Sequence, residues 1–516
     1  MKFQERKQRT FGMNNNKNLQ WGVILSYITM AAGILVSLTY TPFLLDSLGQ
    51  QQYGLYNMGQ AAVSYLGLAE FGFGNAVVRY VAKYKAEGNE WKTAGLYGTF
   101  FKLYIVLAAI VFTIGMGICL LSDRFFTVTT GVQGYMELKA IIAIMVVNLT
   151  LTFSMTPYSA IINAHERFAF IKITNLLYTI LKPLVMIPLL LWGYKAVGLS
   201  VITLLLTVLL NISNVIYVKK VLKIKVSYQK KDAQPGLLKE IMGYSFFIFL
   251  GTLTAQLNDN ADSLILGSIS GETAVAVYAV GYQLNTYVQQ MPGALASVLF
   301  PRITTRITKG ASMQEMSDLM TRVGRLQFYV IFLLCSGFCL FGQEFIYLWA
   351  GEGYEIAYWI VLALILPAAI PNMQYVPALV VQAMNRHRFK AVLYAVCAGL
   401  NVLTSIPAGM AFGPVGCAVC TGITTLLTKG IIINWYYHKK IRLDIAGFWK
   451  SICLLFLRLA PICLVGIALN MLITTQSWLW IFIKIGIYTL CFGLYALFVC
   501  FNREEKALVG RFLRKK

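Results

Sequence analysis

Long apolar stretches alternate with short polar segments along almost the whole chain. A membrane-spanning helix needs about 20 mostly apolar residues, and backbone groups in lipid must bond to one another. The pattern therefore predicts an all-α integral membrane protein. We place fourteen spanning helices at residues 19–45, 53–79, 96–121, 137–162, 168–192, 196–218, 240–267, 274–300, 325–349, 355–382, 390–412, 414–437, 449–474 and 478–501.

The basic residues fall in every second gap between these stretches. Of the 44 Lys and Arg residues, 36 lie in one set of gaps and only Arg124, Lys139 and Lys195 lie in the alternating set. The other five lie inside or at the edge of apolar stretches: Lys102, Lys182, Lys429, Arg458 and Lys484. Short basic loops stay on the cytoplasmic side of a membrane. The chain is therefore predicted to cross an even number of times, with both termini cytoplasmic. The net charge of +23 is then mainly a topology signal, and no nucleic-acid partner is expected.

Two halves of the chain match at a separation of about 220 residues. The matches, in order, are Gly49, Tyr56 and Gly59 with Gly271, Tyr278 and Gly281, Arg167-Phe168 with Arg388-Phe389, and Val197-Gly198 with Val415-Gly416. Six predicted helices separate the two copies, so both copies have the same orientation in the membrane. The sequence therefore predicts two parallel six-helix repeats, related by an axis along the membrane normal.

This repeat suggests a division of the chain into six segments. They are a cytoplasmic N-terminal tail at 1–18, a first six-helix bundle at 19–218, a basic cytoplasmic linker at 219–239, a second six-helix bundle at 240–438, helices thirteen and fourteen at 439–501, and a basic cytoplasmic tail at 502–516.

Neither an ATPase nor another enzyme is indicated. The chain has no glycine-rich phosphate loop and no cluster of residues suited to catalysis. The ten cysteines lie in or at the ends of apolar stretches, and the pair Cys417 and Cys420 stands alone in an apolar helix, which favours packing over metal binding. We therefore predict no catalytic residue, no metal and no cofactor. A transporter driven by an ion gradient or by its substrate's own gradient is favoured.

A few ionisable residues lie inside the predicted spans. Each costs about 2.5–3.5 kcal/mol on insertion scales and therefore faces a cavity or a partner. Lys182 and Lys429 lie near the middle of the membrane, where they either bind phosphate or pair with an acidic residue. Glu70 either pairs with a cation or carries a proton.

The seventh span carries a polar cluster. Asp259 and Asp262 are three residues apart and share one helix face, next to Asn258. A cluster facing the transport lumen would couple transport to H⁺ or Na⁺. The alternatives are a structural role and, for Asp262 near the outer end, simple solvation.

Tyrosines and amides alternate in the spans expected to line the centre. Tyr56 and Tyr278, with Gln60 and Gln283, supply the aromatic faces and hydrogen-bonding groups that a sugar needs, although interfacial anchoring explains many tyrosines equally well. Arg79, near the inner end of the second span, either attracts an anionic headgroup or extends its charge to the interface.

Several segments carry a resemblance to a known family. They are LLDSLGQQQYGLYNMGQ after the first span, DSLILGSISGETAVAVYAVGYQ and PGALASVLFPRIT. Over about residues 19–500 the chain resembles the polysaccharide-transport (Wzx-type) flippases of the multidrug/oligosaccharidyl-lipid/polysaccharide exporter superfamily.

The resemblance implies a V-shaped, MATE-like pair of six-helix bundles around a cavity that opens alternately to each side. It implies transport of undecaprenyl-diphosphate-linked oligosaccharides across the bacterial cytoplasmic membrane for O-antigen, capsule or exopolysaccharide synthesis. The implied partners are the lipid-linked oligosaccharide, membrane lipids, and a polysaccharide polymerase or glycosyltransferases. In such a cavity, cations would hold the diphosphate and the tyrosines and amides the glycan.

Three other functions remain open. The acidic residues of the seventh span favour a cation-coupled multidrug or metabolite antiporter of the same superfamily. A peptidoglycan-precursor flippase would have the same number of spans. A membrane scaffold for glycosyltransferases is the alternative from a different class.

Overall fold

The structure, a computed structural model, describes residues 2–87, 90–224, 237–384, 386, 388–473 and 477–507. Every regular element in these ranges is helical, which confirms the predicted all-α class. The longer helices are α1 (Lys2–Ser64), α2 (Phe73–Ala86), α3 (Glu90–Leu120), α4 (Gly131–Ala164), α5 (Phe168–Leu191), α6 (Ala196–Ile216), α7 (Leu237–Ile269), α8 (Gly271–Thr308), α9 (Met313–Ala350), α10 (Ala357–Met373), α11 (Tyr375–Ala383), α12 (Arg388–Thr425), α13 (Ile445–Leu459), α14 (Cys463–Leu472) and α15 (Trp478–Tyr495).

Shorter helical segments complete the described chain. They are the α-helical turns Ser122–Phe125 and Ile433–Tyr436, the 3₁₀ segments Tyr65–Glu70 and Ala460–Ile462, and the π-helical segments Tyr217–Leu222, Leu426–Ile432, Tyr437–Ile441 and Ala496–Cys500.

The helices are long and apolar enough to cross a membrane many times. Within the described ranges, nine helical stretches meet that description, or ten if the pair α10 and α11, bent by 51°, forms one span. Two of the nine, Ile28–Val81 and Arg388–Ile441, are 54 residues long. The first covers predicted span 53–79 and most of 19–45, and the second contains 390–412 and 414–437. The multi-pass membrane class is confirmed, and the count of fourteen crossings stays a prediction.

Glycines kink both of these long stretches. Gly49 inside α1 has φ 71° and Gly413 inside α12 has φ 59°, a region that glycine adopts without the steric cost of a side chain. The kinks lie between predicted spans one and two and between predicted spans eleven and twelve. The pattern of apolar residues therefore placed these breaks correctly.

The chain forms two compact units, Met1–Ala279 and Val280–Lys516. Their boundary falls inside α8, whereas the predicted division falls in the linker 219–239, of which residues 225–236 lie outside the described ranges. The predicted division follows the sequence repeat and not compactness, so it stays a prediction.

Helix α4 forms the centre of the first unit. It packs against α1, α3 and α6. Its side chains Leu138, Ile141, Ile142 and Val146 are fully buried. Their spacing of three and four residues places them on one side of the helix, so the core of this unit is built around that apolar stripe.

Helix α9 has the same role in the second unit. It packs against α10 and against the last helices, α13 to α15. A buried ion pair joins α9 to α15, with Lys484 Nζ 2.6 Å from Glu344 Oε2. The Tyr488 hydroxyl lies 2.8 Å from Ser336 Oγ in the same interface. The helices without a counterpart in the repeat are thus held by polar as well as apolar contacts.

Stacked aromatic pairs recur in the two halves. Phe170 stacks on Tyr217 with ring centroids 3.9 Å apart, and Phe389 stacks on Tyr436 at 4.6 Å. Phe389 follows Phe170 by the same number of residues as Tyr436 follows Tyr217. We call this difference in residue number the structural offset. By this offset Phe389 corresponds to Phe170, two positions from the Phe168 with which the sequence motif pairs it.

Close glycine contacts recur as well. A side chain at Gly59 would lie 2.6 Å from Ile141 Cγ2, and one at Gly281 would lie 2.7 Å from Ile360 Cγ2. Gly281 is the repeat counterpart of Gly59, and Ile360 follows Ile141 by the structural offset. Each half therefore packs its second helix against its fourth in the same way, which supports the predicted repeat.

The sixth helix of each half ends alike. The π-helical segment Tyr217–Leu222 is followed by Lys223 with φ 50°, and Tyr437–Ile441 is followed by Arg442 with φ 67°. Arg442 again follows Lys223 by the structural offset. A basic residue in the left-handed region, which is uncommon outside glycine, thus ends both bundles.

Candidate functional site

Three buried or half-buried charges of the first unit lie beside tyrosines. They are Lys182, Glu70 and Asp262, and they lie on different helical elements. Because a charge in a membrane span needs a partner, the identity of that partner shows what each charge can do.

Lys182 lies in the second half of α5 and is half-buried. Its ammonium group hydrogen bonds to Tyr56 and also interacts with Tyr178, one turn earlier on the same helix. In the described part of the chain no carboxylate forms an ion pair with Lys182. The described partners of this cation are thus phenols, and the predicted alternative, in which Glu70 or Asp259 neutralises Lys182, stays a prediction.

Glu70 ends the 3₁₀ segment Tyr65–Glu70. Its Oε1 accepts hydrogen bonds from the Tyr104 hydroxyl and from the Gly74 amide, both at 3.0 Å. The donors are neutral, so no described cation pairs with this carboxylate through these bonds. Both predicted alternatives for Glu70, pairing with a cation and carrying a proton, stay predictions.

Asp262 lies on α7 and is 3% exposed. Its Oδ2 accepts a short hydrogen bond of 2.6 Å from the Tyr278 hydroxyl. The alternative of a solvated position is therefore wrong. The ring of Tyr278 is 1% exposed, which makes it a partner of Asp262 and leaves it no open face for a glycan, contrary to prediction.

The 3₁₀ segment links these groups. Tyr65 at its start lies within electrostatic range of both Asp259 and Asp262, and Glu70 is at its end. Asp259 is exposed, whereas Asp262 is buried. The two aspartates predicted to act together thus sit in different environments, one accessible and one enclosed.

The other candidates of the first unit lie nearer the surface. Gln60 and Arg79 are exposed, and Asn258 is half-buried. The guanidinium carbon of Arg79 is 6.0 Å from the Tyr80 ring centroid, near the range of a cation–π contact. Their predicted roles in substrate binding stay predictions.

The second unit contains two of the predicted site residues. Lys429 lies in the π-helical segment Leu426–Ile432, is half-buried, and has its Nζ 5.7 Å from the Tyr394 ring centroid. Gln283 donates a hydrogen bond of 2.7 Å to the Tyr287 hydroxyl, one turn later on α8. The described contacts bring Lys429 near an aromatic ring and Gln283 near a phenol.

The structure adds a cation that the sequence reading missed. Lys390 Nζ lies 5.4 Å from the same Tyr394 ring. Lys390 is in the first turn of α12, at the first residue of the predicted span 390–412. Its spacing of four residues from Tyr394, which places both on one helix face, was the signal available in the sequence.

A model of the polysaccharide biosynthesis protein family matches residues 19–306. The chain belongs to this family. The predicted resemblance to the polysaccharide-transport flippases is thereby confirmed, and the chain is a multi-pass membrane protein of polysaccharide biosynthesis.

Individual members and structural neighbours agree with the family. A Shigella flexneri protein that carries the provisional name O-antigen transporter is 21% identical over 436 residues, which cover 82% of this chain and 97% of that protein. The lipid II flippase MurJ, in an inward closed conformation, matches with a TM-score of 0.67 at 15% identity, covering 92% of this chain and 97% of MurJ.

A multidrug resistance transporter of the MATE family, in an inward-facing conformation, has the same fold. It matches with a TM-score of 0.63 at 13% identity, covering 81% of this chain and 99% of its own. The predicted MATE-like fold is therefore confirmed, and proteins with this fold include both a flippase and a drug transporter.

Proposed function

We propose that this protein is a flippase for undecaprenyl-diphosphate-linked oligosaccharides in the bacterial cytoplasmic membrane. It works by alternating access, makes and breaks no covalent bond, and supplies units for a surface polysaccharide such as O-antigen, capsule or exopolysaccharide. Both termini lie in the cytoplasm. The relatives named above are transporters, which supports a transport function over an enzymatic one.

The observation that carries this proposal is the position of Lys182. An ammonium group in the membrane interior is costly, and neutral phenols satisfy its hydrogen bonding without neutralising its charge. A diphosphate offers that charge neutralisation together with strong hydrogen-bond acceptors. Lys182 is therefore the residue that we assign to the headgroup, with the Tyr56 hydroxyl beside it.

The carboxylates suit a different task. Glu70 and Asp262 accept hydrogen bonds from phenols, and each could exchange a proton or bind Na⁺ during the transport cycle. We assign them to ion coupling, with the accessible Asp259 as the relay to solvent. A polymerase or glycosyltransferases would supply and consume the substrate on the two sides of the membrane.

Genetic complementation tests the proposal. Cells lacking the protein should lose surface glycan and accumulate the lipid-linked oligosaccharide. Lys182→Ala should reproduce that defect at a normal protein level, whereas Lys182→Arg should retain part of the activity because the charge remains. Lys195→Ala, which removes an exposed lysine at the start of the next helix, is the matched control and should behave as wild type. Normal surface glycan in cells without the protein would contradict the proposed function.

A cation-coupled antiporter is the second candidate, and the buried Asp262 is the observation that favours it. The two functions differ in their readouts. An antiporter would lower the accumulation of cationic drugs and leave surface glycan unchanged, and Asp262→Asn would abolish that efflux. A peptidoglycan-precursor flippase would instead restore growth to cells depleted of their lipid II flippase. The proposed function predicts neither effect.

A further inference from the structure

The second unit holds two cations around one aromatic ring. Lys390 Nζ is 5.4 Å and Lys429 Nζ is 5.7 Å from the centroid of Tyr394. The two ammonium groups are close enough to repel each other. Both lysines and the tyrosine are half-buried and so partly accessible. The arrangement is thus a pair of like charges on two helical segments, within reach of a ligand.

The helix that carries Lys429 is held in an irregular shape. The π-helical segment Leu426–Ile432 departs from the α-helical hydrogen-bond pattern, and such turns are frequent at functional sites. The Asn434 side-chain amide donates to the carbonyls of Lys429 at 3.2 Å and Gly430 at 2.7 Å. These two hydrogen bonds hold the turn that carries Lys429.

A second irregularity supports the first. Asn434 and Gln374 exchange two hydrogen bonds, of 2.7 and 2.9 Å, and both side chains are buried. Gln374 sits at the 51° break between α10 and α11, and Trp449 donates to Asn434 at 3.3 Å. A buried amide network thus holds the turn of Lys429 against two neighbouring helices. Such support makes a site pre-organised before its ligand arrives.

Lys484 provides a comparison, because it is a buried lysine with a structural role. Lys484 is 4% exposed and makes an ion pair of 2.6 Å with Glu344, itself 12% exposed. Lys390 has no carboxylate partner in the described ranges. It faces Tyr394 and a second lysine instead. A bound anion with two or more charges would relieve the repulsion between the two ammonium groups and accept hydrogen bonds from them.

We propose that Lys390, Lys429 and Tyr394 form a second anion-binding site, built for a phosphate or diphosphate group. The two ammonium groups bracket the anion and the tyrosine separates them. This inference rests on the proposed function only for the identity of the anion, which is the diphosphate of the lipid-linked substrate. The phosphate of an anionic lipid headgroup has the same chemistry and is the alternative source.

Lysine labelling on the purified full-length protein tests the site. The protein, in nanodiscs of phosphatidylcholine, is acylated with an amine-reactive reagent, and each lysine is followed by mass spectrometry. Inorganic pyrophosphate should slow labelling of Lys390 and Lys429 several-fold and leave the exposed Lys439 and Lys440 unchanged. Unchanged labelling at Lys390 and Lys429 would overturn the proposal.

Further arms identify the source of the anion. Protection by added undecaprenyl diphosphate, but not by nanodiscs containing phosphatidylglycerol, supports the substrate as its source. Protection by phosphatidylglycerol supports a lipid headgroup at the same site. Either result is independent of whether surface glycan is lost in the Lys182 variants, so failure of this site and failure of the proposed function are distinguishable.

A double variant supplies the second measurement. Lys390→Gln with Lys429→Gln should weaken pyrophosphate binding about tenfold or more, since each loses a close charge pair. Lys390→Arg with Lys429→Arg should bind, because both charges remain. Lys439→Gln with Lys440→Gln is the control for net charge. Equal pyrophosphate binding by the glutamine double variant and the control would contradict the site.

Discussion

The two halves of the chain share a scaffold and differ in their charges. The stacked pair Phe170–Tyr217 recurs as Phe389–Tyr436, one structural offset later in the chain. At the same offset, Lys182 is replaced by Asn401, which bonds to Thr421 Oγ1 at 2.9 Å. The apolar and aromatic contacts that build the bundle are thus repeated, whereas the cation is not.

The reverse holds for the second cation site. Lys390 and Lys429 correspond, at the structural offset, to Ile171 and Leu210. The first half therefore places Lys182 beside phenols, whereas the second places Lys390 and Lys429 around the ring of Tyr394. A repeated fold requires equivalent packing because packing sets its stability, but a substrate with one headgroup does not require equivalent charges in both halves.

Equivalent tyrosines even serve opposite charges. Tyr56 bonds to Lys182, whereas its counterpart Tyr278 bonds to Asp262. A phenol can donate to a carboxylate or accept from an ammonium group. The same position in the repeat thus supports a cation in one half and an anion in the other.

The largest expected effect concerns the helices that only the second half carries. Glu344→Ala leaves Lys484 buried without its partner, and we expect a loss of about 3–5 kcal/mol in the free energy of unfolding. Thermal unfolding of the purified protein in detergent measures the loss. Replacing both residues with Met should restore most of it, because no buried charge then remains. An unchanged midpoint in the single variant would show that these helices do not depend on the pair.

The equivalent tyrosines give the next test. Tyr278→Phe removes a buried hydrogen bond to a charged group, and we expect a loss of about 1.5–3 kcal/mol in stability. Tyr56→Phe should cost less, since Lys182 keeps Tyr178. The two variants should also separate by function. Tyr278→Phe should change the ion dependence of transport, whereas Tyr56→Phe should weaken substrate binding. Identical transport defects in both variants would contradict the proposal that the two equivalent tyrosines have different roles.

The amide network of the second half has no counterpart in the first. Asn434 corresponds to Val215, so Asn434→Val makes the second half resemble the first at this position. Unsatisfied buried groups around Gln374 and the π-helical turn should cost about 1–3 kcal/mol. We also expect Lys429 to lose its protection by pyrophosphate. Wild-type protection in this variant would show that the network does not position Lys429.

The smallest effect is a pH dependence at the C-terminal end of the second unit. Burial alone would raise the pKa of Glu505, but hydrogen bonds from Arg325 and from the Asn502 amide hold it below the ordinary value of 4.5. Because the folded pKa is depressed, the stabilisation is complete above pH 4.5 and is lost as the pH falls through the folded pKa.

Hydrogen exchange of the amides at residues 502–506 follows this contact. Exchange should speed up as the pH is lowered below about 4.5, after correction for the intrinsic rate. Glu505→Gln should exchange faster already at neutral pH and lose the acid-dependent step. The exposed pair Arg322–Glu504 is the control, and Glu504→Gln should change little because surface ion pairs contribute about 0–1 kcal/mol.

Most of the helical scaffold could be predicted from the sequence. Apolar stretches of sufficient length predicted the helices, and the breaks at Gly49 and Gly413 fell where two stretches meet, because lipid allows only internally bonded backbone. The repeat was visible from glycines such as Gly59 and Gly281, since a close approach of helices admits no side chain there.

Which residues contact the charged side chains could not be predicted from the sequence. Asp262 and Tyr278 are on consecutive helices, but Glu70–Tyr104 and Lys484–Glu344 join residues 34 and 140 positions apart. Such pairs depend on the rotation of each helix about its axis, and a uniformly apolar span does not reveal that rotation. Lys182 was therefore found as a charge, while its tyrosine partners were not.

Flipping by the purified protein tests the central claim most directly. The wild type and Lys182→Ala would be reconstituted into liposomes with an undecaprenyl-diphosphate-linked oligosaccharide, and a membrane-impermeant glycosidase would report the glycan that reaches the outer leaflet. We predict rapid exposure with wild type and a rate at least about tenfold lower with Lys182→Ala, equivalent to about 1.4 kcal/mol. Equal rates for the two proteins would contradict the assignment of Lys182 to the headgroup.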